Sequence, residues 1–332
     1  MIRYIIRRLL ISIPVLLVGT FLSYVMVTSL GDPLSELRAK PGVTEADVQA
    51  AAHALGLDKP VLVRYWDWLT GFVQGDWGTS VALGTARADV YTMVTDALWV
   101  TVQLVIAAQV LAIILGVAVG VLAAVRQYSI FDYTATSLAF LMFSMPVFCV
   151  AILLKSYGIQ LNNLLVSLGL DRWLTTAGPP TGGYTGDLGE VVFSYTGTFL
   201  LPTISLMLIS FAAYSRFQRA SMLETLHSDY VRTARAKGIS QARVIFRHAF
   251  RNALIPVTTL AALSFGTLFT GAVLTETVFG WHGMGSLLVT AVRQFDPNIL
   301  MGWLVVVAIA VVVFNLIADI LYVFLDPRIR LG

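Results

Sequence analysis

Residues 229–256 read DYVRTARAKGISQARVIFRHAFRNALIP and lie between two stretches that are apolar enough to enter a lipid bilayer. The wider segment 216–256 carries eight basic residues against two acidic ones, Glu224 and Asp229. The basic residues are Arg216, Arg219, Arg232, Arg235, Lys237, Arg243, Arg247 and Arg251. Short loops rich in Lys and Arg stay on the cytoplasmic side of a membrane, so this segment predicts its own orientation.

The same segment has the pattern of two short helices joined by a tight turn. Ser228 or Asp229 suits the N-cap of the first helix, and Ser240 suits the N-cap of a second helix over 241–252. Gly238, between them, suits the left-handed position that follows a helix end. We therefore expect a helix, a turn and a second helix rather than an irregular loop.

The first of these helices is also one-sided. Tyr230, Val231 and Ala234 share one face and form an apolar strip among cations. A basic surface resting on anionic lipid, or a plain orientation signal, requires the charge but not two helices with a glycine between them. The pattern therefore favours docking to a cytoplasmic partner over these two alternatives.

The composition is that of a membrane protein. Of the 332 residues, 57% are apolar and 12% are charged, whereas about a quarter of residues are charged in a soluble domain. The apolar residues form six blocks. Each block is compared with the roughly 20 helical residues that are needed to cross the hydrocarbon core of a bilayer. The blocks are 9–30, 97–124, 133–154, 199–214, 254–279 and 299–325. We expect an all-α polytopic membrane protein with six transmembrane helices, the first of them uncleaved.

Basic residues are unevenly divided between the two sides that six spans create. With the N-terminus inside, 14 of the 22 Lys and Arg residues lie in short cytoplasmic segments. Outside the basic segment these are Arg3, Arg7, Arg8, Arg126, Arg328 and Arg330. Both termini are therefore expected in the cytoplasm of a bacterial cell, with the chain in its inner membrane. The net charge of +3 reflects this topology rather than nucleic-acid binding.

This topology divides the chain into four parts. The first part, 1–30, contains the cytoplasmic N-terminus and the first span, and it is followed by an external segment, 31–96. The third part is a five-helix core, 97–325, which includes an external loop, 155–198, and the cytoplasmic segment 216–253. The last part is a cytoplasmic tail, 326–332.

The external segment 31–96 is expected to contain two helices of its own. A weak helix is predicted over 44–54. A second, amphipathic helix is predicted to begin after Asp58 as its N-cap and to end at Gly71 or Gly75.

All seven tryptophans fall on the expected external side or at the outer ends of spans. An aromatic belt at the headgroup level explains this distribution. The alternative is an external gate or a docking surface for a binding protein, for which the candidates are Trp66, Trp77, Trp281 and His282.

Motifs for bond chemistry are absent from the sequence. It contains no GxxxxGK[ST] loop for ATP phosphates, no HExxH, no GxSxG and no Cys/His cluster, and its single cysteine is Cys149. Polar residues within the spans are then the candidates for a transport path. These are Glu276 in the fifth span, and Asn315 and Asp319 one turn apart in the sixth. A carboxylate at mid-membrane, expected for a proton-driven carrier, is not found.

Eight short motifs, in order along nearly the whole chain, resemble those of the permease subunits of bacterial ABC importers in the oligopeptide, dipeptide and nickel branch. They are GDP (31–33), LGLDKPVLVRY (55–65), GDWGTS (75–80), SMPVF (144–148), DYVRTARAKG (229–238), RNALIP (251–256), ETVFGWHGMG (276–285) and LDPRIR (325–330). The resemblance implies the type I importer fold and a chain that is not itself an enzyme.

The resemblance also implies that segment 229–238 is a coupling helix seated in a groove of a separate ATPase. Its residues are Asp229, Tyr230, Val231, Arg232, Thr233, Ala234, Arg235, Ala236, Lys237 and Gly238. The implied partners are a second, related permease, two cytoplasmic ATPase domains that bind ATP and Mg, an external solute-binding lipoprotein and membrane lipid. No cofactor or metal is implied for this chain.

One position departs from the wider superfamily. That superfamily has Glu-Ala-Ala where this chain has Arg232-Thr233-Ala234, while the glycine that follows is kept as Gly238. The peptide branch commonly departs in this way, so the branch is favoured and the role of the glutamate is not carried over to Arg232. The expected cargo is a peptide, with a nickel chelate or another small solute as the alternative. A secondary transporter or a membrane sensor fits the basic segment less well.

Overall fold

The computed structural model describes residues 2–32, 34–54, 56–80, 88–180 and 183–325. These residues are helical apart from connecting segments and one isolated antiparallel bridge between Thr79 and Asp89. The all-α fold expected from the apolar blocks is confirmed. The predicted cytoplasmic tail, 326–332, lies outside the described residues.

The helices belong to two compact units. In chain order they are α1 (Ile2–Leu30), α2 (Ser35–Arg38), α3 (Glu45–Ala54), α4 (Val61–Gln74), α5 (Val90–Val125), α6 (Ile130–Ser144), α7 (Val147–Ser167), α8 (Leu188–Leu226), α9 (Asp229–Ala236), α10 (Gln241–Arg243), a π-helical turn (Val244–Ala249), α11 (Phe250–Ala253), α12 (Ile255–Phe279), α13 (Met284–Arg293) and α14 (Pro297–Leu325). The first unit combines Met1–Thr101 with His282–Val312, and the second combines Val102–Trp281 with Val313–Gly332.

Five helices in the described part of the chain are long and apolar enough to cross a membrane. They are Ile5–Ser29 within α1, Val90–Val125, Val147–Ser167, Leu188–Leu226 and Pro297–Ile317 within α14. The block 254–279, expected as the fifth span, forms the 25-residue helix α12. Within it, the stretch Ile255–Ser264 is apolar but by itself too short to cross a membrane.

The third expected span, 133–154, is divided between two helices. α6 ends at Ser144 and α7 begins at Val147, with Met145 and Pro146 extended between them at ψ 132° and 139°. The residue before a proline is driven out of the helical region by contact with the ring, so α6 stops ahead of Pro146. α7 then continues past the expected end of the span, to Ser167.

In the first unit the two predicted external helices form. The Thr44 hydroxyl and N–H both donate to Asp47 Oδ2, at 2.7 and 2.8 Å, ahead of α3, and these hydrogen bonds lower the pKa of the Asp47 carboxyl. α4 has Pro60 rather than Asp58 at its N-cap position, because Asp58 lies too early in the chain to reach the first helical N–H groups. The helix ends at Gly75, the second of the two predicted positions.

α4 packs along α1 through aromatic side chains. The Tyr65 ring meets Phe21 and Tyr24 edge-on, with centroids 5.2 and 5.6 Å apart. Its hydroxyl pairs with Thr20 Oγ1 at 3.0 Å, and the buried Met301 completes the cluster. Tyr65 of α4 is thus buried within its own unit, whereas Leu62, Trp66 and Val73 of the same helix stay largely exposed.

In the second unit, α8 is longer than the apolar block that predicted it. It begins at Leu188, where the Asp187 side chain accepts a hydrogen bond from the N–H of Glu190 at 2.8 Å. Pro202 lies inside this helix. Of the predicted external loop 155–198, the described residues outside helices are therefore 168–180 and 183–187. With 39 residues, α8 is about 58 Å long, well beyond a hydrocarbon core of roughly 30 Å.

α8 approaches α5 most closely at two glycines one turn apart on α5. A Cβ atom added at Gly116 would lie 2.8 Å from Tyr214 Cβ, and one added at Gly120 would lie 2.6 Å from the Ser215 carbonyl oxygen. Small residues of this kind let helix backbones touch in a membrane protein. A side chain larger than hydrogen at Gly120 requires the two helices to separate.

Replacing Gly120 with alanine is expected to destabilise the folded protein by about 1–3 kcal/mol, the usual cost of overpacking. Gly19→Ala in α1 is the matched control, because nothing lies within 4 Å of a Cβ atom built there. Thermal unfolding of the detergent-solubilised protein should show a lower midpoint for Gly120→Ala and an unchanged or slightly higher one for Gly19→Ala. Equal midpoints for the two variants would contradict the close contact.

Candidate functional site

α9 occupies the place predicted for the first of the two short helices. Ser228 is extended at the N-cap position, but its hydroxyl donates to the Thr225 carbonyl at 2.6 Å and no side chain caps the helix. Gly238 has φ +74° with open space around it, so the predicted left-handed turn forms. A side chain here would be strained by backbone conformation, not by crowding.

The second predicted helix, 241–252, contains a π-helical turn. α10 continues into the turn Val244–Ala249, and the turn continues into α11. Ser240 stands at the N-cap position of α10, but its side chain makes no capping hydrogen bond. Within the turn, Val244, Ile245 and Ala249 are buried. Single π turns inside helices are frequent at functional sites.

The inner face of α9 packs on its own chain. Val231 and Ala234 are only 0% and 6% exposed. They belong to a set of buried side chains that we call the basal cluster: Val121, Ala124, Met222, Leu226, Val231, Ala234, Val244, Ile245, Ala249 and Ala253. The apolar strip was expected to be part of the docking surface. Val231 and Ala234 instead hold α9 against the ends of α5 and α8.

The outer face of α9 carries the polar and charged side chains. The exposed residues of segment 229–238 are Asp229, Tyr230, Arg232, Thr233, Arg235, Ala236, Lys237 and Gly238. Arg232 lies 3.6 Å from Asp229, but both side chains are largely in solvent, so this pair contributes little. The Tyr230 hydroxyl accepts a hydrogen bond from Asn252 Nδ2 at 2.8 Å, which ties α9 to α11. α9 is therefore a fixed helix with a cationic outer surface.

A buried ion pair joins α6 to α8 in the same unit. Arg219 Nε donates a hydrogen bond to Asp132 Oδ1 at 2.6 Å, and Arg219 Nη2 donates one to Oδ2 at 2.8 Å. The Tyr128 N–H also donates to Asp132 Oδ2, at 3.0 Å, and the carboxylate is 2% exposed. The sequence alone shows Arg219 only as one of the eight basic residues of segment 216–256, because its partner lies 87 residues away along the chain.

Two sequence families match the chain. Residues 116–331 match the family described as "Binding-protein-dependent transport system inner membrane component", and residues 1–105 match "Binding-prot-dependent transport system membrane comp, N-term". The chain belongs to this transport family. It is a permease subunit, and the family resemblance inferred from its short motifs is confirmed.

Relatives of this permease match it over nearly their whole length. Oligopeptide transport system permease protein OppB of Mycobacterium tuberculosis (strain ATCC 25618 / H37Rv) is 36% identical over 100% of both chains. Oligopeptide transport system permease protein AppB of Bacillus subtilis (strain 168) is 38% identical over 98% of this chain and 99% of its own. Dipeptide transport system permease protein DppB of Escherichia coli (strain K12) is 37% identical over 99% of each.

A solved structure shares the permease fold. The inward-facing MetNI methionine ABC transporter matches with a TM-score of 0.53 and 14% identity, over 70% of this chain and 96% of that one. At this identity the likeness shows the fold alone.

The external candidates of the permease have different surroundings. In the first unit, Trp66 is 63% exposed, His282 is exposed, and Trp77 is half-buried and stacked on Phe72 with centroids 4.6 Å apart. In the second unit, Trp281 is 3% exposed and meets Phe199 edge-on. Trp281 therefore offers no docking surface in this conformation, and its part in a gate stays a prediction.

The three polar residues predicted for the path lie on two helices of the second unit. Glu276 is fully buried near the end of α12, while Asn315 and Asp319 are half-buried one turn apart on α14. The Lys155 ammonium donates to the Val278 carbonyl at 2.6 Å, near the same end of α12. Lys155 thus has a structural contact, and the roles of the other three stay predictions.

Asp132→Asn is expected to destabilise the permease by at least about 2 kcal/mol, because it leaves the Arg219 guanidinium without its buried counter-charge. The control is Asp67→Asn, which breaks the Lys59–Asp67 pair, where both side chains are about half exposed; such pairs contribute about 0–1 kcal/mol. The measurement is the thermal unfolding midpoint in detergent. Similar midpoints for both variants would show that the buried pair does not hold α6 on α8.

Proposed function

We propose that this permease forms half of the translocation path of an ATP-driven peptide importer, and that α9 receives the motion of a separate ATPase subunit. The observation that carries the coupling role is the two-sided structure of α9. Val231 and Ala234 fix the helix to its own chain, while Arg235 and Lys237 face outward. In the described part of the chain neither of these two cations has an ion-pair partner.

The cargo part of the proposal rests on the relatives. The proteins named for oligopeptide and dipeptide transport share 36–38% identity with this chain and align with nearly all of it. The presence of Arg232, where the wider superfamily has glutamate, also agrees with the peptide branch. We therefore propose peptides, rather than a nickel chelate, as the cargo.

A continuous set of contacts supports the coupling role. Val231 and Ala234 pack in the basal cluster with Met222 and Leu226, which belong to the last two turns of α8. α8 is one uninterrupted helix of 39 residues, and the Asp132–Arg219 pair attaches it to the start of α6. Closely packed elements shift as units, so a displacement of α9 is expected to move α8 and α6 together.

The proposed assembly supplies what this chain lacks. ATP and Mg would bind to two cytoplasmic ATPase domains, because this sequence has no phosphate-binding loop. A second, related permease would complete the path. We also propose that both termini lie in the cytoplasm, as the positive-inside rule predicts.

On the external side we propose that a solute-binding lipoprotein docks near Trp66, Trp77 and His282. Trp66 and His282 are exposed in the first unit, as this role requires. We assign Glu276, with Asn315 and Asp319, to the path or its gates. All three are buried or half-buried on α12 and α14, and polar residues inside spans often mark a transport path.

The whole importer, reconstituted in liposomes with its binding protein, is expected to accumulate labelled dipeptide or oligopeptide only when ATP is present on the ATPase side. Parallel vesicles receive a nickel chelate, and others receive an ion gradient without ATP. Uptake of the nickel chelate alone would overturn the peptide assignment. Uptake by the permease without its ATPases, driven by the gradient, would overturn the importer class.

Cysteines at Arg235 or Lys237 are expected to crosslink to the ATPase subunit, with a yield that changes when ATP binds. The background is Cys149→Ser, which removes the one native cysteine. Leu188→Cys is the matched control, since that residue is 85% exposed at the other end of α8. Labelling of positions 235 and 237 by lipid probes alone, with no crosslink to protein, would contradict the docking role of α9.

A further inference from the structure

Arg216 is a cation that has no counter-charge among the described residues. Its guanidinium lies over two rings, 4.1 Å from the centroid of Phe140 and 5.0 Å from that of Phe143. Within the described residues it forms no ion pair, whereas Arg219, three positions further along α8, is paired with Asp132. Aromatic faces attract a guanidinium but do not neutralise it. Arg216 therefore remains able to bind an anion.

The surroundings of Arg216 form an apolar groove between α6 and α8. A cavity of about 270 Å³ opens there, and its lining is Thr136, Phe140, Arg216, Phe217, Arg219 and Ala220. Phe140 and Phe217 are each 52% exposed. Because Asp132 already neutralises Arg219, the groove combines apolar walls with one unbalanced positive charge.

The groove lies where a span of this permease meets water. Arg216 follows the apolar block 199–214 by two residues. At the start of α6, Tyr128 and Tyr133 are 72% and 61% exposed, and exposed tyrosines of membrane proteins concentrate at the headgroup level. Arg216 thus leaves α8 just beyond its apolar block, and its guanidinium lies against Phe140 and Phe143 of α6.

We propose that this groove binds one anionic phospholipid, with the phosphate on Arg216 and an acyl chain along Phe140 and Phe217. A guanidinium matches phosphate geometry through paired donors, and the cytoplasmic leaflet, where our topology puts this end, is rich in anionic lipid. A free phosphate would gain nothing from the apolar walls. The site is additional to the coupling surface of α9 and depends on the proposed orientation only for the identity of the leaflet.

The test is native mass spectrometry of the whole importer complex, taken from mixtures of phosphatidylglycerol and phosphatidylcholine with identical chains. The wild type is expected to retain one phosphatidylglycerol that Arg216→Gln retains about tenfold less, as for loss of one charge-assisted contact. Arg126→Gln is the matched control, because it removes the same charge from an exposed residue at the same end of the spans. Equal retention by wild type and Arg216→Gln would overturn the proposal.

Two further arms identify the occupant without depending on the Arg216 variant. Glycerol phosphate, which has the head but no chains, should fail to displace the retained lipid; displacement by it would point to a simple anion site and overturn the proposal. Phe217→Cys in the Cys149→Ser background should react with a lipid-borne probe. A crosslink from that cysteine to the second permease, with no lipid labelling, would show a protein interface instead.

Discussion

The contact between α5 and α8 is the constraint on which the second unit depends. At Gly120 the backbone of α5 lies against Ser215 and against the start of the next turn at Arg219. With no side chain between the helices, the rotation of α8 about its axis is fixed at this level. That rotation points Arg219 toward Asp132 on α6 and, further along, points Met222 into the basal cluster. The ion pair and the seat of α9 follow from one close approach of two backbones.

α9 could not form by itself, since an isolated helix needs about 12–15 residues to be even marginally stable in water, and this one has eight. Its stability comes from the burial of Val231 and Ala234 and from the bond between Tyr230 and Asn252. The inner face of α9 is buried against the permease's own chain. In the proposed coupling role, recognition by a partner falls to the charged outer face, whereas the sequence indicated the apolar strip.

Local features could be predicted from the sequence, whereas features that depend on distant residues could not. The turn at Gly238 was predictable because glycine, the preceding cation and the spacing all belong to one short segment. The length of α8 was not, because an apolar block marks only the part of a helix that contacts lipid, while its backbone hydrogen bonds continue into water. The partner of Arg219 and the burial of Trp281 depend on residues 87 and 82 positions away, Asp132 and Phe199. Charge counts and aromatic counts contain no such information.

Arg216 and Arg219 show why the positive-inside rule fixes orientation but not function. The rule counts both residues equally, yet the structure neutralises Arg219 with a buried carboxylate and leaves Arg216 between two phenylalanine rings. Arg235 on α9 and Lys237 just after it likewise have no ion-pair partner among the described residues, but they face water rather than an apolar groove. Arg216 and the cations of segment 229–238 therefore lie on two different surfaces, one with apolar walls and one without. An amphipathic anion suits the first and an acidic protein groove suits the second, so the two proposals assign lipid and protein to separate side chains of one basic segment.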